Sequence, residues 1–250
     1  MSVQEKKTDS QLCDPIDTDR ELVVRTRALS LRLDDKLILK DINLNVPAGR
    51  TVALLGANGA GKSTLLKVLA TFMPPSSGTL ELFGSKIGVN SGAIRSKIGI
   101  ISHQPMLYRD LSPMENLIFF GRLYSVPKVR DRAEEMLSLV GLSGRADDAV
   151  KTLSRGMIQR VSIARALMHD PSLLLADEPF DGLDVPSANA LEAFLGRLQA
   201  HGKTVVIANH DIAQSLRLAD TVFVLHRGRR VIEARADETD VAAIVKEMTG

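Results

Sequence analysis

Residues 51–71 read TVALLGANGAGKSTLLKVLAT, and the pattern of this stretch indicates the fold class. Its first five residues are apolar and include β-branched side chains, a pattern that predicts a buried strand. Glycines follow, and leucines at positions 65, 66 and 69 then recur at helical spacing, which predicts a helix over residues 63–71. A strand, a glycine-rich loop and a helix in this order indicate an α/β protein that binds phosphate groups.

The loop inside this stretch, GANGAGKST at residues 56–64, satisfies the phosphate-loop pattern G-x-x-x-x-G-K-[ST]. Glycines let successive backbone N–H groups point inward as a nest for anions, and the following helix adds its positive N-terminal end. Lys62 supplies a positive charge for the β- and γ-phosphates, and the Ser63 hydroxyl can bind Mg²⁺. The predicted nucleotide-binding residues of the loop are Gly56, Asn58, Gly59, Gly61, Lys62, Ser63 and Thr64.

Other apolar segments also end in polar side chains that suit phosphate chemistry. The strand pattern LLLADE at residues 173–178 ends in Asp177, which can hold Mg²⁺ through its water shell, and in Glu178, which can polarise an attacking water. His210 ends the pattern TVVIANH, at the strand end where open α/β sheets place their ligands, so we expect it near the γ-phosphate; a structural histidine is the alternative. Gln104 follows KIGIIS and can orient water or Mg²⁺ but cannot act as a base.

Strand patterns recur along the chain and alternate with helical ones, which predicts a mainly parallel sheet covered on both faces. An N-terminal pair of strands turns at Asp34-Asp35. The predicted strands besides residues 51–55 are Leu22–Arg27, Ile42–Val46, Ile98–Ile101, Leu173–Asp177, Val205–Ala208 and Val222–Leu225.

Between Gln104 and Leu167 the strand signal disappears. Three helices are predicted there instead, at Glu115–Leu123, Val129–Val140 and Met157–Met168. We expect a helical insert at about residues 105–168 within a domain that spans residues 21–250. The polar residues 1–20 lack periodicity and predict a disordered tail.

Composition excludes several classes of protein. The formal net charge is only +2, so no basic excess argues for a nucleic-acid partner. A single cysteine, Cys13, excludes a disulfide within the chain and favours a free thiol in a reducing compartment. No apolar run approaches the ~20 residues that cross a bilayer, and the N-terminus has no apolar signal core. We therefore expect a cytoplasmic chain that reaches a membrane only through partners.

One further segment, LSRGMIQR at residues 153–160, lies between Gln104 and LLLADEP. Together with the phosphate loop and His210, this order resembles the ABC (ATP-binding cassette) ATPases, whose signature is usually written LSGGQ, over about residues 22–230. The resemblance implies a RecA-like phosphate-loop NTPase core with an N-terminal antiparallel β subdomain and an inserted helical subdomain. It also implies ATP and Mg²⁺ as cofactors and ATP hydrolysis coupled to transport.

The resemblance assigns roles to individual residues. It implies a catalytic glutamate at Glu178, a switch histidine at His210, a Q-loop at Gln104, a Walker A lysine at Lys62 and a D-loop aspartate at Asp184. Magnesium ligation is implied for Ser63, Gln104 and Asp177.

The signature residues, Ser154, Arg155, Gly156 and Met157, are implied to act on the nucleotide of a second subunit. Ser154 offers a hydroxyl, and Gly156 and Met157 offer N–H groups near a helix start, which makes a second anion site. Because one chain cannot close both sites on one nucleotide, two ATP-binding subunits must meet head to tail in a two-fold dimer. We expect a homodimer.

Three residues depart from the family pattern. Arg155 replaces a glycine of the signature and Met157 replaces its glutamine. Arg155 adds charge near the phosphates or points to solvent, and solvent is favoured because long cationic side chains keep their heads in water. Leu33 stands near the position of the adenine-stacking aromatic and offers only apolar contact, which predicts weak discrimination between ATP and GTP.

Residues 99–117 and 151–157 look like the ATP-binding subunit of the haem exporter of cytochrome c maturation. This implies integral membrane permease subunits and a peripheral position on the inner face of the cell membrane. The apolar residues after the Q-loop, including Phe119 and Phe120, would receive a permease helix, although core packing is the alternative for at least one of them. Two rival functions stay open, a soluble ABC ATPase, for example in metal-cluster assembly, and an ATP-sensing regulator. Glu178 argues against the regulator.

Overall fold

The computed structural model describes residues 21–88 and 91–249, and the predicted tail at residues 1–20, with Cys13, lies outside them. The strands are β1 (Leu22–Leu33), β2 (Lys36–Pro47), β3 (Thr51–Leu55), β4 (Ser77–Leu82), β5 (Ser85–Lys86), β6 (Ile98–Ile101), β7 (Leu173–Asp177), β8 (Thr204–Ala208), β9 (Thr221–His226) and β10 (Arg229–Arg235). The α-helices are α1 (Lys62–Leu69), α2 (Gly92–Arg95), α3 (Pro113–Leu123), α4 (Val129–Leu139), α5 (Arg155–Leu167), α6 (Val185–Ala200), α7 (Ile212–Leu218) and α8 (Val241–Thr249). Single 3₁₀ turns lie at Ser143–Arg145, Val150–Thr152 and Ala236–Glu238.

A central sheet has the strand order β10-β9-β3-β8-β7-β6, with every neighbouring pair parallel except β10 with β9. Both faces of this sheet are covered, because alternate residues of β3 enter different clusters of buried side chains. Ala53 and Leu55 pack with the helices between β6 and β7, whereas Val52 and Leu54 pack with α1 and the N-terminal strands. This is the covered parallel sheet that the apolar strand patterns predict.

A second, antiparallel sheet has the order β2-β1-β4-β5. Its β1–β2 hairpin turns at Asp34, which has the positive φ of 49° that such a turn requires. The strands run further towards the turn than the predicted Leu22–Arg27 and Ile42–Val46. Register shifts between Thr26 and Leu31 interrupt the side-chain alternation in this stretch, so its period-2 pattern is lost from the sequence.

The segment between β6 and β7 contains α3, α4, α5 and two of the 3₁₀ turns, as predicted for residues 105–168. Two of its helices start earlier than their apolar patterns do, because side chains cap them. Ser112 and Glu115 form a capping box at the start of α3, and Ser154 caps α5. The fold class is therefore confirmed, while the division of the chain into domains stays a prediction. Within the described residues, no helix has the length and apolarity to span a membrane.

Asn116 is a fully buried polar residue that fixes the chain after β6. Its Oδ1 accepts from the N–H of Tyr108 at 2.8 Å, and its Nδ2 donates to the carbonyls of Tyr108 at 3.0 Å and Ser112 at 2.9 Å. Three hydrogen bonds from one buried amide tie the 108–112 segment to α3. This amide thus adds to the backbone bonds that Val150 and Lys151 make with Leu111 and Arg109 of the same segment.

We predict that Asn116→Ala lowers the free energy of unfolding by about 2–3 kcal/mol, because it removes three hydrogen bonds, one of them buried, and leaves the N–H of Tyr108 without its Asn116 acceptor. Urea unfolding measures this loss. Asn189→Ala, at an exposed position of α6, is the control and should change stability by less than about 0.5 kcal/mol. Equal stability of the two variants would contradict the role given to Asn116.

Candidate functional site

The carboxyl ends of three adjacent strands meet at one edge of the central sheet. Ala208 at the end of β8 is paired with Leu54 of β3 on one side and with Asp177 of β7 on the other. Backbone hydrogen bonds continue past the strands, from the N–H of Glu178 to the Ala208 carbonyl at 3.0 Å and from the N–H of Asn209 to the Leu54 carbonyl at 3.2 Å. The phosphate loop, the two carboxylates and His210 are thus brought together, as the strand ends predict.

The glycines of the phosphate loop are required by space as well as by conformation. Gly56 has φ 148°, and a Cβ there would lie 2.3 Å from the carbonyl oxygen of Leu225. Gly61 has φ 108°, and a Cβ there would lie 2.9 Å from Cδ2 of Leu39. Gly59 has φ 79° but no atom within 4 Å of an added Cβ. The two ends of the loop are therefore pinned between strands, while its tip is open to a ligand. The loop residues exposed on this tip include Asn58, and Thr64 is half-buried in α1.

Lys62 lies inside the loop with only 6% of its side chain exposed. Its Nζ donates to the carbonyl of Gly56 at 2.6 Å and to that of Ala57 at 3.4 Å, and lies 3.9 Å from Oε1 of Glu178. Burial lowers the pKa of Lys62 below its ordinary value, an effect that the nearby Glu178 and Asp177 partly oppose. A buried cation held mainly by carbonyls is well placed to receive an anionic phosphate.

Two side-chain pairs complete the edge of the sheet. The Ser63 hydroxyl donates to Oδ1 of Asp177 at 2.9 Å, and Nδ1 of His210 lies 2.8 Å from Oε2 of Glu178. Glu178 adopts a left-handed backbone conformation, φ 48°, which is costly for a residue with a Cβ. Its side chain is 19% exposed, with Oε1 of the carboxylate towards Lys62 and Oε2 towards His210.

Gln104 is exposed, and its carbonyl accepts a hydrogen bond from the Ser102 hydroxyl. It lines a cleft of about 370 Å³ together with Ser63 and Asp177. The structure thus groups the three residues predicted to bind Mg²⁺. Among the described residues no three His, Cys, Asp or Glu side chains cluster as a metal site. Mg²⁺ at a phosphate loop needs no such cluster, because phosphates and waters complete its shell around one or two protein oxygens.

The signature segment starts α5, with Ser154 and Arg155 exposed and Gly156 and Met157 half-buried. The Ser154 hydroxyl accepts from the N–H of Met157 at 3.3 Å, so this predicted phosphate donor already has a partner within the chain. The hydroxyl hydrogen of Ser154 and the N–H of Gly156 are the donors that the start of this helix offers to an anion. Arg155 is 71% exposed, as expected, yet it also pairs with Asp181 at 3.6 Å.

Asp184 and Leu33 lie outside this cluster of contacts. Asp184 caps α6, where its Oδ1 accepts from the N–H of Ser187 at 3.0 Å. Hydrogen bonds from Ser187 lower the pKa of Asp184 below its ordinary value. Leu33 ends β1 opposite Lys36 with 37% of its surface exposed. The implied D-loop role of Asp184 and the base contact of Leu33 stay predictions.

A protein-family model described as ABC transporter matches residues 39–181, more than half of the chain. This chain belongs to the ABC transporter family. It is 35% identical over 219 residues to the bacitracin transport ATP-binding protein BcrA of Enterococcus faecalis, covering 87% of this chain and 71% of that protein. It is 34% identical over 233 residues to the Nod factor export ATP-binding protein I of Cupriavidus metallidurans, covering 91% and 77%.

A solved relative shows the nucleotide chemistry of this ABC family. The dimeric post-hydrolysis state of the ATP-binding cassette MJ0796, bound to ADP and Pi, superposes with a TM-score of 0.79 at 30% identity and covers 85% of this chain and 98% of that one. This ABC chain is accordingly an ATPase, with ATP and Mg²⁺ as its cofactors. Bound Mg²⁺ supplies positive charge to the phosphate oxygens, and the oxygens of Ser63 and Asp177 fit it.

Sequence reasoning missed two residues of the ABC site. Asn209 is 2% exposed, and its Oδ1 accepts from the N–H groups of His210 at 2.8 Å and Asp211 at 3.2 Å, which fixes the start of the loop that carries His210. A polar residue that directly follows the buried strand β8 was the available signal. Asp181, which faces both Arg155 and His103, gave no signal beyond its place in the FDGLD segment.

We predict that Gly56→Ala weakens ATP binding at least about tenfold, because displacement of the loop loses charge-assisted N–H contacts worth ~1.5 kcal/mol or more. Calorimetric titration with ATP in the presence of Mg²⁺ measures the affinity. Gly84→Ala is the matched control, since Gly84 lies outside the loop, has a similarly positive φ of 72° and has no atom within 4 Å of an added Cβ. An equal loss in both variants would show that space at Gly56 does not limit the loop.

Proposed function

We propose that this chain is the ATP-hydrolysing subunit of an ABC transporter, one half of a nucleotide-sandwich homodimer that drives a separate membrane permease. One observation carries the proposal. A complete hydrolytic edge, with Lys62, Glu178 and His210 in contact, stands in the same chain as a signature helix start at Ser154 that is exposed to a second molecule.

At the hydrolytic edge each residue has a distinct task. The loop N–H groups and Lys62 bind the β- and γ-phosphates, and Lys62 exchanges the carbonyls of Gly56 and Ala57 for phosphate oxygens. Glu178 polarises the attacking water, and its hydrogen bond with His210 fixes the direction of the carboxylate. His210 then contacts the γ-phosphate, and Gln104 orients water or Mg²⁺ from the adjoining cleft.

The second half of each nucleotide site comes from the other subunit. Ser154 offers its hydroxyl and Gly156 its N–H at the positive start of α5, which suits the γ-phosphate held by the partner's phosphate loop. The dimeric state described for the solved relative MJ0796 supports this arrangement. ATP then joins the subunits and its hydrolysis separates them, which converts phosphate chemistry into movement.

The permease surface lies just after Gln104. We name the exposed or half-buried residues Met106, Tyr108, Phe119 and Phe120 the aromatic patch. The rings of Tyr108 and Phe119 lie 5.0 Å apart and those of Phe119 and Phe120 5.2 Å apart, both edge to face. Neither phenylalanine belongs to the two clusters of buried core residues. An exposed aromatic patch beside the nucleotide cleft suits an amphipathic helix of a membrane subunit.

The transported substrate class is a narrower part of the proposal. The names of the two curated relatives describe bacitracin transport and Nod factor export, which supports an exporter and a place on the inner face of the cell membrane. Haem export for cytochrome c maturation rests on the resemblance of residues 99–117 and 151–157 alone. Neither of these two relatives adds to it.

We predict that Glu178→Gln lowers ATP turnover more than about 100-fold while leaving ATP binding intact, because it removes the group that polarises water. The variant should form a stable dimer in ATP, whereas the wild type should return to monomers as ATP is consumed. Light scattering after gel filtration in ATP or ADP measures this. Identical behaviour of wild type and variant would favour an ATP-sensing regulator that does not depend on turnover.

We predict that Phe119→Glu reduces co-purification with permease subunits at least about tenfold, because a buried charge replaces an aromatic anchor. The measurement is affinity isolation of the tagged chain from mildly solubilised native membranes, with partners identified by mass spectrometry. Leu139→Glu, at a similarly exposed apolar position of α4, is the matched control and should co-purify like the wild type.

The same isolation separates the functions. Multi-spanning partners beside cytochrome c assembly proteins would support haem export, and a different permease would keep the transporter and discard haem. Recovery of soluble partners only would favour the soluble ABC ATPase.

A further inference from the structure

The first turn of α5, which carries the signature, is docked on the segment that follows Glu178 in the same chain. Nε2 of Gln159 donates to the Pro179 carbonyl at 3.1 Å in a buried position. Gly156 lies so close to this segment that an added Cβ would be 3.3 Å from the Gly182 carbonyl oxygen. The signature and the residues after the catalytic glutamate therefore share one support.

Arg155 makes the third contact of this docking. Its side chain lies over Gly182, where an added Cβ would be 2.8 Å from Nε and 3.0 Å from Cδ of Arg155. Its guanidinium then reaches Oδ2 of Asp181 at 3.6 Å. The side chain is largely exposed, but its stem contacts Gly182 and its charge pairs with Asp181.

Asp181 also faces a second side chain, on the Q-loop. Nδ1 of His103, the residue before Gln104, lies 3.9 Å from Oδ2 of Asp181. The guanidinium of Arg155 is the closer of the two and is permanently charged. Because exposed ion pairs contribute little to folding stability, we expect the pair of Arg155 and Asp181 to act through the groups that it orients.

We propose that Arg155 is a positioning residue that acts within its own chain, through Asp181, to hold the signature in the orientation that receives the partner's nucleotide. Arg155 does not serve as an additional cation for the partner's γ-phosphate. The inference rests on the proposed function, in which Ser154 and Gly156 act across the dimer. The signature has arginine in place of a glycine. The aliphatic stem of this arginine covers Gly182 and so keeps the start of α5 in a fixed orientation.

The two possible actions of Arg155 differ in what Asp181 does. If Arg155 acts through Asp181, neutralising either residue removes the same interaction, and neutralising both costs no more than neutralising one. If Arg155 acts on the partner's phosphate, Asp181 competes for its charge. Neutralising Asp181 would then leave dimerisation unchanged or strengthen it.

The test uses the full chain in the Glu178→Gln background, with ATP-driven dimerisation measured by analytical ultracentrifugation. Arg155→Met keeps the aliphatic stem and removes the charge, and Asp181→Asn keeps the shape and removes the charge. We expect each single variant to weaken the dimer about threefold to tenfold, the size of a modest electrostatic pair, and the double variant to match the singles. Arg155→Lys should restore most of the affinity, and the difference between parent and variants should shrink in high salt.

A control pair and an independent readout make the result decisive. Arg145 and Asp148, 2.8 Å apart on the surface, form an exposed ion pair away from these residues, and Arg145→Met with Asp148→Asn should leave dimerisation unchanged. In the nucleotide-free chain, Arg155→Met and Asp181→Asn should both speed hydrogen exchange, by similar factors, at the N–H groups of Met157 and Ile158, which are protected by their bonds to Ser154.

An additive double variant, or an Asp181→Asn chain that dimerises as well as its parent, would overturn the inference. A parent that does not dimerise in ATP would instead refute the proposed function, and hydrogen exchange would still decide whether Arg155 acts through Asp181. Unchanged exchange in both single variants would overturn the inference on its own.

Discussion

The register of three parallel strands positions the phosphate loop, Glu178 and His210 of the hydrolytic site. Ala208 is paired on one side with Leu54 and on the other with Asp177, so the loops that follow β3, β7 and β8 leave the sheet at the same level. The phosphate loop, Glu178 and His210 then meet without any long-range adjustment. A slip of one residue in any of these strands would turn its side chains to the opposite face and separate the groups.

The hydrolytic site suits an anion, and one chain supplies only half of the contacts to that anion. Lys62 is buried, its pKa is lowered by desolvation, and carbonyl oxygens satisfy most of its hydrogen bonds. A phosphate would replace those carbonyls with full negative charge. The start of α5 is the second anion site that we propose, and its Ser154 is exposed at the surface of the chain. Two chains are the simplest way to bring the two kinds of site onto one nucleotide.

Local sequence rules predicted the fold and the grouping of the hydrolytic residues. They did not predict the contacts that the signature residues make. Strands β6 and β7 begin and end where their apolar runs do, and the rule that ligands gather at carboxyl ends of strands correctly joined Glu178 with His210. The pairing of Arg155 with Asp181, in contrast, joins two loops through space. Neither residue has a periodic or motif signal for the other. The bond from the Met157 N–H to Ser154 depends likewise on cap geometry that residue types alone do not fix.

The central claim is that the phosphate loop of one chain and the signature of another act on the same nucleotide. Its most direct test is a mixed dimer of two differently tagged chains, one with Lys62→Ala and the other with Ser154→Asp. Aspartate keeps the helix cap of α5 but adds a charge that repels phosphate. The mixed dimer contains one intact site, so it should retain ATP and hydrolyse it where neither homodimer does. A mixed dimer as inactive as both homodimers would contradict the account.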